Sequence, residues 1–292
     1  MGAAGRRLGI TQAAVSHRIA RLEARLKHRL FERRSDGLTL TPMGSRLYEP
    51  VLNSMIGLEG ALDQLEHSAS HVVVVNCTPS LAADWLVPQS TDWYAIHPDI
   101  QLDIRADQSD LSRDRMDSER IDVAIRYSPD PLPKMHELAA VQETLVLVCA
   151  PDYLLQARGK DRAGLVLLTD DTPWPGAIPR AEWRHWRDAN ALVWPDEATV
   201  ERRFNLASLA YDGAAMGQGI AVGRAVLVVD RVRSGRLVAA RSEQAPGASY
   251  RFFGSRPTPP RSAVALFVDW ASTRMISART AALALLAAQS AK

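Results

Sequence analysis

Cysteine is scarce in this 292-residue chain: there are two, Cys77 and Cys149, far apart and each inside an apolar run. This excludes a disulfide framework and a cysteine-based metal site, and makes two buried free thiols the expectation. Long hydrophobic runs are lacking as well. HVVVVNC, residues 71–77, is strand-sized, far below the roughly 20 residues of a membrane-spanning helix. The opening MGAAGRR has no apolar core of the kind a secretion signal carries, so a cytoplasmic protein without a membrane partner is expected. Catalytic signatures are missing too: there is no Gly-x-Ser-x-Gly elbow, zinc motif or P-loop. Asp170-Asp171 has no histidine or cysteine at ligand spacing and reads as a pair of loop acids. Gly217-Gln218-Gly219 follows a helical pattern rather than a strand, so it reads as a helix exit, not a dinucleotide loop. His136 and His185 have no visible nucleophile partner. Neither catalysis nor a cofactor nor a metal is expected.

What is present suits a globular protein of two or three domains: 47% of residues are apolar and 23% charged. The net charge of +2 is unevenly spread. Residues 1–41 hold nine lysines and arginines against three acids, a net +6, so the remainder carries −4. A basic head on an acidic body fits binding of a polyanion through counterion release.

Within that head, residues 8–41 read LGITQAAVSHRIARLEARLKHRLFERRSDGLTLT. Apolar Val15, Ile19, Leu22, Leu26 and Leu30 recur every three or four positions, the spacing of one buried helix face. Thr11 precedes the run as an N-cap, and Gly9 suits the positive φ of a tight turn between helices. The opposite face carries Gln12, Ser16, His17 and Arg21, side chains of the kinds that reach base edges and phosphates. Asp36-Gly37 between short apolar runs signals a hairpin, with Arg33 and Arg34 placed to straddle a phosphate backbone. Periodicity alone fits equally an amphipathic helix and hairpin with solvated charges.

Thr41-Pro42 opens a further helix, threonine as N-cap and proline at the first helical position. Leu47, Val51, Met55, Leu58, Leu62 and Leu65 form its long apolar stripe, suited to a partner helix from a second subunit, with Pro50 as a kink. HSASH, residues 67–71, marks a boundary. Beyond it strands are expected at 72–77, 99–106, 121–127, 143–149, 200–204, 219–222 and 250–254, with 164–168 as a short buried segment. Helices are expected from Thr78, at 182–189, 206–216 and 224–233, and from 262 onward. Such alternation argues for α/β units around mostly parallel sheets.

In open α/β sheets ligands lie beyond the carboxyl ends of strands, and three such ends stand out. Thr78-Pro79-Ser80 offers a helix N-terminus and two hydroxyls to a carboxylate, or simple capping by Thr78. Arg126-Tyr127-Ser128 offers a bidentate clamp or a salt bridge between subdomains. Phe204-Asn205 with Ser208 offers a polar ligand contact or a cap by Asn205. Gln108 and Asp107 are weaker candidates. Trp174, Trp183, Trp186 and Trp194 read as packing within one subdomain.

In order along the chain, ITQAAVSHRIARLE, RLFERR and LTLTPMG closely resemble the DNA-binding segment of LysR-type transcriptional regulators. TPSLAADWLVP, DVAIRYS and FNLASLAYDGAAMGQGIAVGR resemble the effector domain of the branch that includes the glycine cleavage activator and the β-lactamase regulator. The resemblance covers Ile10 to about Ala271. It implies an α/β protein with an α-helical head: a winged helix-turn-helix at 1–41, truncated and lacking its first helix, a linker and dimerisation helix at 42–68, and an effector-binding domain at 71–285. That domain would be like the type II periplasmic binding proteins, with subdomain I at 71–142 and 247–285, subdomain II at 143–246 and a ligand cleft between. The resemblance implies double-stranded DNA as a partner, held by Thr11, Gln12, Ser16, His17, Arg21, Arg33 and Arg34. It also implies a homodimer or homotetramer, RNA polymerase as a further partner, and a small-molecule effector such as an amino or organic acid at Thr78, Pro79, Ser80, Gln108, Arg126, Tyr127, Phe204, Asn205 and Ser208. The chain departs from the family where about thirty residues usually precede Ile10, at Lys27 and Ser128 where glycine is usual, and at Pro50. The alternative expectation is an effector-binding module without DNA binding that sequesters ligand or pairs with full-length relatives.

Overall fold

The structure, a computed structural model, describes residues 9–34, 37–48, 50–52, 54–55, 71–157, 165–191 and 200–290. Two compact units follow one another along the chain, Met1–Glu66 and His67–Lys292.

In the first unit helix α1 spans Gln12–Leu26. Thr11 caps it as expected, its Oγ1 accepting from the Ala14 amide at 3.2 Å, and Gly9 takes a φ of +65°. The helix ends at Lys27, held in the left-handed region at φ 56° with its amide donated to the Glu23 carbonyl. Leu30 therefore lies beyond the helix, contrary to the stripe that placed it there. It is buried nonetheless, at the entrance to the hairpin. Val15 is the one buried residue of α1, whereas Leu22 and Leu26 are 44% and 40% exposed. The stripe is thus only partly covered among the described residues. Strands β1 (Phe31–Arg34) and β2 (Gly37–Leu40) pair antiparallel, with Arg34 opposite Gly37. Gly37 accordingly starts a strand rather than forming the turn; Ser35 and Asp36 lie outside the described residues. Residues 42–48 form helix α2, with Thr41 Oγ1 accepting from the Gly44 amide at 3.0 Å. A Cβ at Gly44 would stand 2.1 Å from the Leu30 carbonyl oxygen, so only glycine lets the helix approach the wing so closely. Residues 50–52 and 54–55 are helical too, so Pro50 does not end the helix. Leu47 is half-buried and Val51 and Met55 are exposed; Leu58, Leu62 and Leu65 lie outside the described residues.

The second unit is built on one eight-stranded mixed sheet. Its strands are β3 (His71–Cys77), β4 (Ile100–Ala106), β5 (Val123–Ser128), β6 (His136–Cys149), β7 (Val166–Asp170), β8 (Val200–Phe204), β9 (Ile220–Arg224) and β10 (Val238–Gly254). Their order across the sheet is β4-β3-β5-β10-β6-β9-β7-β8. Within β4-β3-β5 and β8-β7-β9 every pair is parallel, while β10 and β6 run antiparallel to their neighbours. The two long strands, of 14 and 17 residues, thread both halves and create two lobes. Their lengths exceed the expected 143–149 and 250–254. The reason is register: β6 and β10 pair through three shifts, at Ala239/Gln244, Pro246/Ser249 and Phe252/Phe253, and each irregularity interrupts the alternation that a sequence pattern relies on.

Helices cover the faces. The first, α3, begins at Pro79–Leu81, continues through a π-helical turn at Ala82–Leu86 and runs on over Val87–Ile96. Next come α4 (Arg113–Glu119) and α5 (Pro151–Ala157), neither of them expected, because each is only seven residues long, too short to show a helical period. Then follow α6 (Ala181–Ala189), α7 (Ala207–Ala215), α8 (Ala225–Arg233) and the long α9 (Ala263–Ser290). Trp85, Trp93, Phe267 and Trp270 pack α3 against α9. Trp183 stacks on Trp186 at 5.8 Å inside the second lobe. Cys77 and Cys149 are free and buried, and burial pushes both thiols up to about 12. Among the described residues no helix is long and apolar enough to cross a membrane.

Candidate functional site

Register shows where the strand ends converge. Ser128, the last residue of β5, lies opposite Ser249, which in turn pairs with Gln142. Arg224, the last residue of β9, lies opposite Leu145. The parallel strands of both lobes therefore point their carboxyl ends at the same stretch of the crossover strands, around residues 142–145. Helices that follow such strands present free N–H groups there.

Two of those helix starts meet. The Ser80 hydroxyl, in the first turn of α3, accepts from the Ser208 amide in the first turn of α7 at 3.1 Å and donates to the Ser208 hydroxyl at 3.3 Å. Thr78 holds the N-cap position of α3 without a side-chain cap bond, so simple capping does not occupy its hydroxyl. One turn further on, Arg231 of α8 pairs with Asp84 of α3 at 3.0 Å and with Asp212 of α7 at 2.7 Å. The π-turn carries Asp84, and burial raises its pKa. Gln108 Nε2 donates to the Asn205 carbonyl at 3.1 Å, and Thr172 Oγ1 reaches the same oxygen at 3.4 Å. Asn205 thus engages through its backbone; the N-cap of α7 is Leu206, without a side-chain bond, so capping by Asn205 is not realised. Phe204, half-buried, ends β8 beside it.

The structure turns Arg126 to a different use from either expectation. Its guanidinium is buried within the first lobe, donating to the Asn76 side chain and to the Asn76 and Ile125 carbonyls, 4.0 Å from Asp107. Among the described residues these contacts all lie within one lobe. Burial lowers its pKa. Asp107 also accepts from Arg115 at 2.8 Å and from the Asn76 side-chain amide at 2.6 Å, and the Arg115 bond above all holds its carboxyl well below the usual carboxylate range.

Tyr127 lies at the centre of the seam. Its hydroxyl accepts from the Ala248 amide at 3.0 Å, against Gly247, where a Cβ would stand 2.8 Å from that oxygen. Its ring meets Trp174 at 5.9 Å and Tyr250 at 5.1 Å. Trp174 thus faces the first lobe, a correction to the reading that put it with Trp183 and Trp186; Trp194 lies outside the described residues. The Arg224 guanidinium sits 4.0 Å from the Tyr127 ring centroid and pairs with Glu182 at 2.8 Å and Asp170 at 3.0 Å. All three charged side chains are nearly fully buried. Asp170 is therefore part of an interior ion network and not a loop acid.

Sequence reasoning missed Arg224, Glu182 and Tyr250. The strand-end rule that selected Thr78 applies equally to Arg224 after GIAVG and to Asp170 after VLLT. Tyr250 left no such signal, since it lies inside an antiparallel strand. It is 1% exposed, and its hydroxyl has no hydrogen-bond partner among the described residues. Nearby Glu143 is fully buried, accepting from the Thr144 and Val226 amides; burial pushes its carboxyl up to about 7.

In the first unit Gln12, His17 and Arg21 are exposed on α1 and Ser16 is half-buried. Arg33 and Arg34 stand in β1. Among the described residues no cluster of histidine, cysteine and acids could hold a metal ion.

Comparison with known proteins agrees with this two-part architecture. Residues 66–276 match the LysR substrate binding domain, and residues 1–45 match the bacterial regulatory helix-turn-helix protein, lysR family. The chain is 30% identical over 241 residues to the HTH-type transcriptional regulator DsdC of Escherichia coli, 81% of this chain and 76% of that protein. It is 30% identical over 242 residues to the glycine cleavage system transcriptional activator of the same species, 80% and 75% of the two chains. Among solved structures, the effector domain of AmpR from Pseudomonas aeruginosa superposes with a TM-score of 0.56 at 20% identity, covering 72% of this chain and 98% of that one. Full-length LysG of Corynebacterium glutamicum with bound effector Arg gives 0.51 at 15% identity, covering 94% and 92%. The chain belongs to the LysR family: it is a DNA-binding transcriptional regulator with an effector-binding domain.

Proposed function

We propose that this regulator senses a small carboxylate, an amino or organic acid, in the seam between its lobes and passes the resulting change of lobe angle to DNA-bound heads. The observation that carries the reading is the meeting of α3 and α7 at Ser80 and Ser208. Two helix starts from opposite lobes supply amides and hydroxyls to one point, an arrangement that favours an anion. Thr78, Ser80 and Ser208 take the carboxylate, with Pro79 setting the start of the helix beside it. Tyr127, Tyr250, Phe204, Gln108 and Asn205 bound the rest of the effector, and Arg126 holds the first-lobe wall through Asn76. Arginine as the effector of LysG is consistent with this class. The segment 1–41 serves as the winged head, 42–68 as the linker and 71–285 as the effector domain.

On DNA, Thr11, Gln12, Ser16, His17 and Arg21 meet the major groove, and Arg33 and Arg34 meet phosphates. Leu47, Val51, Met55, Leu58, Leu62 and Leu65 pair with a second copy. The complex works in the cytoplasm, as dimer or tetramer and with RNA polymerase as partner, as a regulator rather than an enzyme. A second reading, an effector module that pairs with full-length relatives, draws on the exposure of Leu22 and Leu26.

A thermal-shift panel of amino and organic acids tests the effector class. At least one acid should raise the melting temperature, since a ligand at 100 times its Kd stabilises by about 2.7 kcal/mol, and Ser208→Pro should abolish the shift by removing the amide. A panel in which only neutral or cationic compounds stabilise the chain would reject the anion reading.

A further inference from the structure

We infer that Glu23 positions the wing, β1 and β2, against α1, the recognition helix of the proposed DNA-binding head, so that the wing's phosphate contacts depend on a carboxylate that need not touch DNA. The inference rests on the proposed placement of Arg33 and Arg34 on phosphates. Glu23 stands in the last turns of α1, half-buried. One carboxylate oxygen accepts two backbone amides at the root of β1, from Leu30 at 2.7 Å and from Phe31 at 3.1 Å. The same residue's carbonyl accepts the Lys27 amide and, at 3.2 Å, the His28 amide. Glu23 therefore both closes the helix and grips the first residues of the strand.

Between these two grips the chain has no regular structure. Residues 27–30 lie between helix and strand, and the first β1–β2 pair is Phe31 with Leu40. The other ties at the wing's root lead to the next segment: Thr41 N to the Leu30 carbonyl at 2.9 Å and Thr41 Oγ1 to the Arg29 carbonyl at 2.7 Å. The carboxylate is thus a direct side-chain bridge from helix α1 to the strand. An ionised acceptor shared by two amides is among the stronger hydrogen-bond arrangements, and it fixes direction as well as distance. Arg33 and Arg34 follow two and three residues beyond Phe31, roughly 7–10 Å along a strand that rises about 3.3 Å per residue. A tilt of the root is magnified at their positions.

Positioning and simple charge make opposite predictions. An acid that acted only through its charge would repel DNA, so its removal would strengthen binding. An acid that positions two phosphate-binding arginines would weaken binding when removed and would flatten its salt dependence. The test measures binding of the full chain to a labelled duplex of random sequence by anisotropy across a potassium chloride series. The Arg33→Ala/Arg34→Ala double variant should reduce the log–log salt slope by about two, near 0.9 per phosphate. Glu23→Ala should give a similar reduction, and combining all three changes should add little to either. Glu23→Gln keeps an acceptor oxygen and should hold the wild-type slope. Should Glu23→Ala unfold the head by circular dichroism, Glu23→Asp, shorter by one methylene but still charged, takes its place with the same expectation. A wild-type slope in Glu23→Ala or its Asp replacement, alongside a reduced slope in the double arginine variant, overturns the inference alone. An unchanged slope in the double arginine variant removes the arginines from the phosphates, and the inference falls with that reading.

Discussion

Buried acids near the lobe seam stand in two different electrostatic situations, and each leads to a measurement. Among the described residues Glu143 is held by the amides of Thr144 and Val226 rather than by a hydrogen-bonded cation, and burial raises its folded pKa to about 7 from 4.5. For an acid raised in this way, the folded state binds the proton more tightly than the unfolded chain. Its contribution is most favourable below the unfolded pKa and is lost as pH rises from 4.5 toward 7, by about 3 kcal/mol in all. Glu143→Gln should therefore leave stability nearly unchanged at pH 4.5 and raise it at pH 8, flattening the profile of denaturant midpoint against pH over that window. Equal shifts at both pH values would show that Glu143 does not titrate there. Asp170 and Glu182, by contrast, share Arg224. Arg224→Met should cost about 3–5 kcal/mol by leaving buried carboxylates unpaired, read as a lower urea midpoint with an unchanged m-value. Residue-level legibility followed the same division. That Thr78, Ser80 and Ser208 stand at the ends of strands and starts of helices was readable because strand ends and hydroxyls are visible in a sequence. The inward turn of Arg126 was not, because its partner Asn76 lies 50 positions away on a neighbouring strand.

At the scale of elements, the most informative departure is Lys27, where a lysine holds a left-handed helix cap at φ 56°. Such a conformation costs a non-glycine residue roughly 1–2 kcal/mol. Lys27→Gly should stabilise the head by about 1 kcal/mol in a chemical melt followed by helix signal; no gain would mean that the cap relaxes in solution. Most helices and the short strands were legible from period and punctuation, β8 to the residue. What escaped were elements whose identity depends on contacts elsewhere. The stretch Arg241–Gly247 (RSEQAPG) is polar and broken by proline, yet it belongs to β10 because β6 supplies a partner through the register shifts. The π-turn of α3 is likewise invisible in the periodicity of AADWL, residues 82–86; it lies where Asp84 meets Arg231 of α8.

For the effector unit as a whole, closure rests on a few paired contacts between lobes: Ser80 with Ser208, Gln108 with the Asn205 carbonyl, and Arg231 between Asp84 and Asp212. Arg231 faces an acid from each lobe, so its removal both deletes a bond and sets two carboxylates against one another. Arg231→Gln should speed amide hydrogen exchange in the first turns of α3 and α7 while leaving the protection of β3 and β7 intact. A uniform loss of protection would indicate global destabilisation instead.

The place of β10 in the sheet, between β5 and β6, also has a consequence for how the chain is made. Until residue 254 leaves the ribosome the sheet exists only as two separate pieces, β4-β3-β5 and β6-β9-β7-β8. The strand that joins them is the last to be synthesised. At about 5–20 residues per second, the roughly one hundred residues between the end of β6 and the end of β10 take on the order of ten seconds to appear. For that interval the edge of β5 waits unpaired, and nascent chains on neighbouring ribosomes offer it strands of the same sequence. Exchange of β10 between two copies is therefore the characteristic assembly error that this topology invites.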